Sequence, residues 1–431
     1  MSDMTELMLC DVGDIVTGST PSTSVKEFWG GDIPFYSPAD FNGGVFSNDT
    51  EKTVTNLGAN IGRKLIAGSI MVTCIGSIGK MAICNTDGIS NQQINTIIPR
   101  SNFDSVYLYY LVLNGINRFV NFAPQTTIQI INKTEFGKFK FRFHNYETQQ
   151  KIAKILSTVD NLIEKTQTLI EKYTAIKQGM MADLFTRGID MTTGDTPNPK
   201  GGKLRPSLED APELYKQAEL GWVPKEWEVK RLEDLLAETP SAMRSGPFGS
   251  SLLKHELVEK GIPLLGIDNI FVERFSGTYR RFVTQEKFNE LSKYAVRSND
   301  VVITIMGTVG RCCVIPDDIE KALSSKHLWT MTFDKQKVIS DLVCWQLNYA
   351  DWAKSWFHQK SQGGIMEAIQ SSTLKNLFLP VPKLDEQLKI AAIYRSLCAK
   401  VEKEQAYLDK LSLKKKGLMQ DLLTGKVTVG K

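Results

Sequence analysis

Two long stretches of the chain have the hydrophobic spacing of α-helices, and neither contains a proline. In the first, residues 147–187, apolar side chains recur every seven residues along two seams. The seams are Ile152, Val159, Tyr173 and Met180, and Ile155, Leu162, Leu169 and Ile176. Thr166 interrupts the first seam. A helix of about 38 residues is about 57 Å long, which is far more than a domain core needs.

The second stretch, residues 385–425, is less regular, because Glu404 interrupts one seam and a second apolar stripe lies at shifted positions. It nevertheless repeats the first stretch. Residues 147–189 align with residues 385–427 without gaps, and about 15 of 43 positions are identical, far above chance. We predict two long helices that pack as an antiparallel, coiled-coil-like pair.

A weaker repeat precedes each helix. Residues 65–100 contain CIGSIGKMAI and then SNQQINTIIP, and residues 296–333 contain IMGTVGRCCV and then SSKHLWTMTF. Each segment predicts a strand, a glycine turn, a second strand and a polar cluster before a third strand. The predicted order is a first head (1–146), a first helix (147–187), a hydrophilic linker (188–220), a second head (221–384) and a second helix (385–425).

Composition narrows the classes of protein without identifying one. The net charge of +4 and the pI of about 8.5 permit nucleic-acid binding but do not argue for it. The seven cysteines form no Cys-x-x-Cys pair and the four histidines are scattered, so we predict free thiols and no metal site. Without an apolar run of membrane length or a signal peptide, a cytoplasmic location is expected.

The chain resembles the specificity subunit of type I restriction–modification enzymes over nearly its whole length. The resemblance is carried by the two helical repeats and by ordered motifs. These are GSTPSTSVKEFWGGDIPFYSPADF (18–41), GSIGKMAI (76–83), SNQQI (90–94), GPFGSSLLK (246–254) and LGWVPKEWEVKRLEDL (220–235). Each motif alone is weak, whereas their order, occurring twice, is specific.

The resemblance implies an α+β fold with two similar mixed α/β target-recognition domains. Two long antiparallel helices would separate these domains about a pseudo-two-fold axis. It implies that each domain reads one half of a split double-stranded DNA target, and that the chain itself is not an enzyme. The helices would space the domains and dock two methyltransferase subunits, and restriction subunits would join the complex. S-adenosylmethionine, ATP and Mg²⁺ would be used by those partners and not by this chain.

The glycine turns offer the first candidate contacts with DNA. Gly76–Lys80 is not a phosphate-binding Walker loop, because Cys74 stands where a glycine is needed and Met81 where a Ser or Thr is needed. A turn between two strands is the simpler interpretation. Lys80 and Arg311, which end the two turns, are candidate phosphate contacts.

The polar clusters offer candidate contacts with bases. Amide side chains at Asn91, Gln92 and Gln93 can pair with adenine, whereas Lys326 and His327 occupy the matching place in the second head. Amides that cap local backbone groups are the alternative. A second pair of polar loops adds Gln125, Thr126 and Gln362 as candidates.

Six apolar helix positions are candidates for methyltransferase docking, as the resemblance implies. They are Ile152, Leu156, Ile163, Ile390, Tyr394 and Val401. The sequence has no Asp/Asn-Pro-Pro-aromatic segment for adenine methylation and no glycine-rich cofactor loop after a first strand, so it favours no catalytic site. The alternative function is a coiled-coil scaffold that binds proteins and never reads DNA.

Overall fold

The structure, a computed structural model, describes residues 4–122, 129–191, 203–361 and 369–429. The chain divides into two compact units. The first unit comprises Met1–Ile170 and Lys403–Lys431, and the second comprises Glu171–Glu402. Each unit therefore contains one head and a portion of each long helix.

The first head and the helix that follows it contain eleven strands and six helices among the residues that the structure describes. The strands are β1 (Thr5–Met8), β2 (Gly13–Thr17), β3 (Trp29–Tyr36), β4 (Phe46–Ser47), β5 (Lys52–Val54), β6 (Lys64–Leu65), β7 (Ile70–Thr73), β8 (Met81–Cys84), β9 (Gly88–Ser90), β10 (Ile94–Pro99) and β11 (Lys140–Phe143). The helices are α1 (Leu9–Val12), α2 (Asn56–Ile61), α3 (Ser105–Asn114), α4 (Ile116–Phe122), α5 (Lys133–Gly137) and α6 (Tyr146–Thr186).

Three sheets build the first head. The largest has the strand order β2-β10-β7-β8-β4, a second has the order β5-β3-β9-β6, and β1 pairs with β11. The largest sheet packs against α3, whose side chains from Tyr107 to Val112 are all buried. Apolar side chains from the start of α6 and the end of α11 (Leu384–Leu423) complete this core, so the helices are part of the first unit's interior.

The remaining elements follow α6 along the chain, and all of them lie in the second unit except residues 403–423 of α11. The strands are β12 (Ile189–Asp190), β13 (Lys203–Leu204), β14 (Tyr215–Ala218), β15 (Gly221–Pro224), β16 (Glu228–Arg231), β17 (Met243–Ser245), β18 (Ile262–Leu265), β19 (Ile270–Phe271), β20 (Arg274–Phe275), β21 (Phe282–Val283), β22 (Val301–Thr304), β23 (Cys312–Val314), β24 (Leu323–Ser324), β25 (Leu328–Met331) and β26 (Phe378–Val381). The helices are α7 (Gln285–Glu290), α8 (Ser340–Tyr349), α9 (Asp351–Ser361), α10 (Ser371–Lys375) and α11.

The second head repeats the sheets of the first. The order β17-β25-β22-β23 matches β2-β10-β7-β8, and β21-β18-β24 matches β5-β3-β9. In both heads an early strand pairs antiparallel with the strand that precedes the long helix, as β1 does with β11 and β16 with β26. The predicted α+β class, with two similar mixed heads and a pair of long helices, is confirmed.

The long helices pack against each other in opposite directions within each unit. In the first unit, His144 Nε2 lies 2.9 Å from the Leu422 carbonyl, and Lys415 forms a 2.6 Å ion pair with Asp160. In the second, the Lys400 ammonium lies 5.8 Å from the Tyr173 ring. Thr166, which interrupts the apolar seam, is buried and donates its hydroxyl to the Leu162 carbonyl at 2.7 Å, so its burial leaves that hydroxyl paired.

One glutamine near the start of each long helix joins that helix to its head. Gln149 accepts a hydrogen bond from the Asp104 N–H at 3.0 Å and donates to the His144 carbonyl at 2.8 Å. Gln387, its counterpart in the repeat, accepts from the Ile339 N–H at 2.9 Å and donates to the Pro382 carbonyl at 2.8 Å. Both glutamines are buried, so each unit orients its helix through the same side chain.

Part of the stretch that we predicted to be a hydrophilic linker is structured. Strand β13 pairs with β12, and Arg205 beside it is buried. The Arg205 guanidinium contacts both oxygens of Glu386 at 2.6 and 2.9 Å, and Trp227 Nε1 donates to the same carboxylate at 3.1 Å. The polar composition of this stretch therefore reflects, in part, a buried ion pair with the start of α11.

Candidate nucleic-acid interface

The glycine turns have the same geometry in both heads. Between β7 and β8 the chain turns at Gly76 and Gly79, which have φ of 75° and 98°. Gly307 and Gly310 turn between β22 and β23 with φ of 75° and 89°. These positive angles strain any residue with a Cβ, which explains the glycine spacing that the sequence shows.

A threonine hydroxyl closes each turn from inside. Thr73 Oγ1 donates to the Ser77 carbonyl and accepts from the Lys80 N–H at 2.9 Å. Thr304 Oγ1 makes the same pair of contacts in the second head, accepting from the Arg311 N–H at 3.1 Å. The threonine therefore satisfies one carbonyl and one N–H of each turn, and the basic side chain that follows takes no part in these contacts.

The polar clusters lie beside these turns. The Cys74 N–H donates to the Gln93 carbonyl at 2.7 Å, and the Ile305 N–H donates to the His327 carbonyl at 3.0 Å. The turn and the cluster therefore lie at the same end of the main sheet in each head. The sequence predicted both elements, whereas their adjacency appears only in the fold.

A glycine directly after β2 and another directly after β17 allow this close packing. A Cβ on Gly18 would overlap the Asn91 and Ser90 carbonyl oxygens, and one on Gly246 would overlap the Ser324 carbonyl. These carbonyl groups belong to the backbone, which cannot move aside as a flexible side chain can. These contacts give a physical reason for the two glycines in the GSTPS and GPFGS motifs.

Another segment reaches the same end of each sheet through different side chains. The Asn95 amide donates to the Ile131 carbonyl at 3.1 Å, and the Trp329 indole donates to the Ile369 carbonyl at 2.8 Å. The polar loops with Gln125, Thr126 and Gln362 precede Ile131 and Ile369 in the chain and lie outside the described residues.

The remaining candidates differ in exposure and in partners. Lys80, Gln92 and Lys326 are exposed, whereas Asn91, Gln93, Arg311 and His327 are half-buried. Asn91 Oδ1 accepts from the Gln93 N–H at 3.0 Å, which is the local capping that was the alternative interpretation. Gln92 Oε1 accepts from the Thr20 hydroxyl at 2.5 Å. The amides of the first head are thus paired with one another, with their own backbone and with the Thr20 hydroxyl.

The second head adds two basic side chains that the sequence interpretation missed, Lys254 and Arg281. A cavity of about 170 Å³ opens beside its cluster and is lined by Lys254, Arg281, Lys326 and His327 among apolar residues. Burial, followed by the charges of Lys326 and Arg281, lowers the pKa of His327 and favours its neutral form. The adjacent Arg280 and Arg281 just before a short strand are a signal that could have pointed to this site.

The candidate docking residues have mixed positions. Ile152, Leu156, Ile390 and Tyr394 are buried and pack in the cores of their own units. Ile163 and Val401 are half-buried. Other apolar side chains on these two helices are exposed, among them Leu162, Ile176, Leu388, Tyr407 and Leu413. The buried four join the helices to the heads, which leaves the exposed set as the surface open to a partner.

The described residues contain no group of three or more side chains that could hold a metal ion. The cysteines are free, and five of them are buried. Burial raises the pKa of Cys74 to about 12, which disfavours the reactive thiolate. Within the described part of the chain, no helix is long and apolar enough to cross a membrane.

Comparison with known proteins identifies the family. A family model described as the type I restriction modification DNA specificity domain matches residues 1–174 and 224–412. The chain belongs to this family. It is therefore a specificity subunit that recognises a bipartite DNA target through two target-recognition domains. Such a subunit is non-catalytic and binds no cofactor itself.

Relatives of this specificity subunit match it over nearly its whole length or over a part of it. It is 25% identical to the MjaVIII specificity subunit of Methanocaldococcus jannaschii over 97% of this chain and 92% of that protein. It is 40% identical over 166 residues to the HindI specificity subunit of Haemophilus influenzae, covering 36% of each chain. The solved S subunit from M. genitalium shares the fold, with a TM-score of 0.57 and 17% identity over 98% of this chain and 96% of that one.

Family membership implies assembly with DNA and with methyltransferase and restriction subunits. It removes the main support for the alternative of a protein scaffold that never reads DNA. The repeated turn, cluster and closing threonine are therefore parts of two target-recognition domains.

Proposed function

We propose that each head reads its half of the DNA target through the end of the main sheet where the glycine turn and the polar cluster meet. The supporting observation is that equivalent backbone positions there carry different side chains. Gln92 and Gln93 occupy the positions of Lys326 and His327, although the hydrogen bonds of the flanking turn are alike. A shared backbone frame with exchanged side chains suits two readers of different sequences.

The basic residues that end the turns would contact phosphates. Lys80 is exposed, and Arg311 lies with its guanidinium 6.0 Å from the Phe271 ring. Phosphate contacts position a protein on DNA without selecting a sequence. Gln125, Thr126 and Gln362 are proposed as further contacts from the polar loops.

The long helices would dock two methyltransferase subunits, and restriction subunits would join that complex in the cytoplasm. Because Ile152, Leu156, Ile390 and Tyr394 are buried, we assign them the support of the docking surface. Ile163, Val401 and the exposed set, such as Leu388 and Leu413, would provide its contacts. We propose the domain limits expected from the sequence: heads at 1–146 and 221–384, helices at 147–187 and 385–425, and a linker at 188–220.

The full chain, expressed with its methyltransferase partner, tests this proposal by mapping of the methylated adenines. We expect one motif with two short specified halves and an unread gap. Exchange of Gln92 and Gln93 for Lys and His should change one half only. A contiguous motif, or a change in both halves, would contradict the proposal.

Helix length provides a second measurement. Insertion of one helical turn after Thr174, matched by a turn in α11, should lengthen the unread gap and leave both halves intact. Altered halves with an unchanged gap would show that the helices do not set the spacing.

A further inference from the structure

The cavity in the second head combines an apolar wall with a basic rim. The wall includes Leu252, Leu253, Leu257 and Leu264, and the rim includes Lys254, Arg281, Lys326 and His327. It lies within the second unit, directly beside the polar cluster. Such a cavity suits a flat group that carries hydrogen-bond acceptors on one edge.

Arg281 is held in a fixed position at this rim. Asp268 pairs with its Nη2 and lies 3.8 Å from Arg280 Nε, so one carboxylate serves two guanidinium groups. Gly266 leaves the space in which the Arg281 guanidinium lies, because a Cβ there would overlap Nη2. The arginine is oriented by its neighbours, and the local charge stays positive.

Two polar atoms at the cavity lack a partner. Arg281 Nε and Ser325 Oγ are both buried without a hydrogen bond, and Ser325 is 8% exposed. Buried polar groups are normally hydrogen-bonded, and an unpaired one lowers stability. Acceptors on a bound ligand would satisfy such groups after a small shift of the side chains.

The first head has different chemistry at the same positions. Strand β5 pairs with β3, and β21 with β18, in the same register. That register places Glu51 and Lys52 where the second head has Arg280 and Arg281. Ser37 takes the place of Gly266, and Gln92 takes that of Lys326.

We propose that Arg281, with Lys326 and His327, forms a site in the second head that reads the major-groove edge of a guanine. This inference rests on the proposed function. Guanine presents two acceptors, O6 and N7, which match an arginine fork or a lysine. A neutral His327 can donate or accept a further bond, and the Ser325 hydroxyl can serve either role.

A backbone phosphate offers acceptors as well, but the geometry favours the base. Flexible, exposed cationic side chains are enough to bind a phosphate. Arg281 is instead held in one orientation by Asp268 and by the space that Gly266 leaves for its guanidinium. The apolar wall would also disfavour a hydrated phosphate. The guanine would lie in the half of the target that the second head reads.

The test uses the full chain bound to its methyltransferase partner, with the methylated motif mapped for wild type, Arg281→Ala and Gly266→Ala. We expect both variants to lose selectivity for one guanine by roughly tenfold or more and to leave the other half-site unchanged. Gly266→Ala retains the charge of Arg281 but displaces its guanidinium, so it distinguishes the effect of the arginine's position from the effect of its charge. Lys52→Ala, at the matching position of the first head, is the control and should leave that guanine selected.

DNA with a modified base distinguishes a contact with the guanine from a contact with a backbone phosphate. Replacement of the guanine by 7-deazaguanine should weaken wild-type binding and have little effect on Arg281→Ala, whatever the stability of the variants. If Arg281→Ala instead weakens binding to every DNA sequence equally and makes binding less dependent on salt, Arg281 contacts a phosphate. A second half-site without guanine, or an unchanged motif in both variants, would also overturn the inference. Wild-type protein without a split motif would instead refute the proposed function.

Discussion

The two heads share a backbone frame but differ in what fills it. Both close the glycine turn with a threonine, Thr73 or Thr304, and both bring a glycine against the cluster. Inside the sheets, however, the second head has a buried pair between Arg244 and Asp300. Ser69, which donates to the Ile66 carbonyl at 2.6 Å, occupies the place of Asp300 in the first head. Hydrogen bonds that both heads share therefore define the frame, whereas the buried Arg244–Asp300 pair belongs to the second head.

The helices show the same division between shared and exchanged contacts. Lys415 and Lys177 are equivalent in the repeat, and both form half-buried ion pairs. Lys415 pairs with Asp160 on the other helix, whereas Lys177 pairs with Glu273 in a loop of its head at 3.1 Å. The lysine is shared, and its carboxylate partner comes from a different part of each unit.

Removal of the buried ion pair should give the largest difference in stability between the two heads. Asp300→Ala leaves Arg244 buried without its partner and should cost about 3–5 kcal/mol of unfolding free energy. Ser69→Ala, the matched change in the first head, should cost about 1 kcal/mol. Urea denaturation followed by circular dichroism measures both variants. Equal losses would mean that the ion pair has no special role in the second head.

The glutamines that join each long helix to its head should contribute similarly to the stability of the two units. Gln149→Ala and Gln387→Ala each remove a buried amide that joins a helix to its head, at about 1–3 kcal/mol. Gln150→Ala, at an exposed neighbour, serves as the control in the same denaturation experiment. A large loss in one unit alone would break the equivalence of the two anchors.

The closing threonines test the shared frame of the loops. Thr73→Val and Thr304→Val remove the hydroxyl from each turn and should cost about 1–2 kcal/mol each. Hydrogen exchange of the Lys80 and Arg311 amides should accelerate by similar factors. Thr→Ser at either position should restore protection, and acceleration in one head only would contradict the shared geometry.

The equivalent lysines should have the smallest effects. Lys177→Met and Lys415→Met should each cost about 0.5–1 kcal/mol, because their ion pairs are only half-buried. The cost should shrink in 1 M salt, since screening weakens the pair that the variants lack. Lys416→Met, which alters an exposed neighbour, should change little at either salt concentration. A salt-independent loss would point to packing of the lysine stem on Tyr110 or Tyr394 instead.

Much of the architecture could be predicted from local patterns. Apolar spacing indicated the long helices, and the spacing of Gly76 and Gly79 indicated a turn with unusual backbone angles. The pattern could not indicate what covers each apolar face. Ile152 and Tyr394 looked like docking residues because periodicity marks an apolar side, but the chain's own cores cover them. Arg281 was missed because its neighbours Gly266 and Lys326 are distant in sequence.

By itself, the sequence determined the repeat, the helices, the turns and the family resemblance. These depend on backbone angles and on side-chain spacing within a few residues, so they are visible in short segments. Only the tertiary structure decided which lysine meets which carboxylate, which helix faces are buried and which polar groups surround the second head's cavity. Burial and charge pairing depend on residues brought together from distant parts of the chain, and no local pattern encodes them.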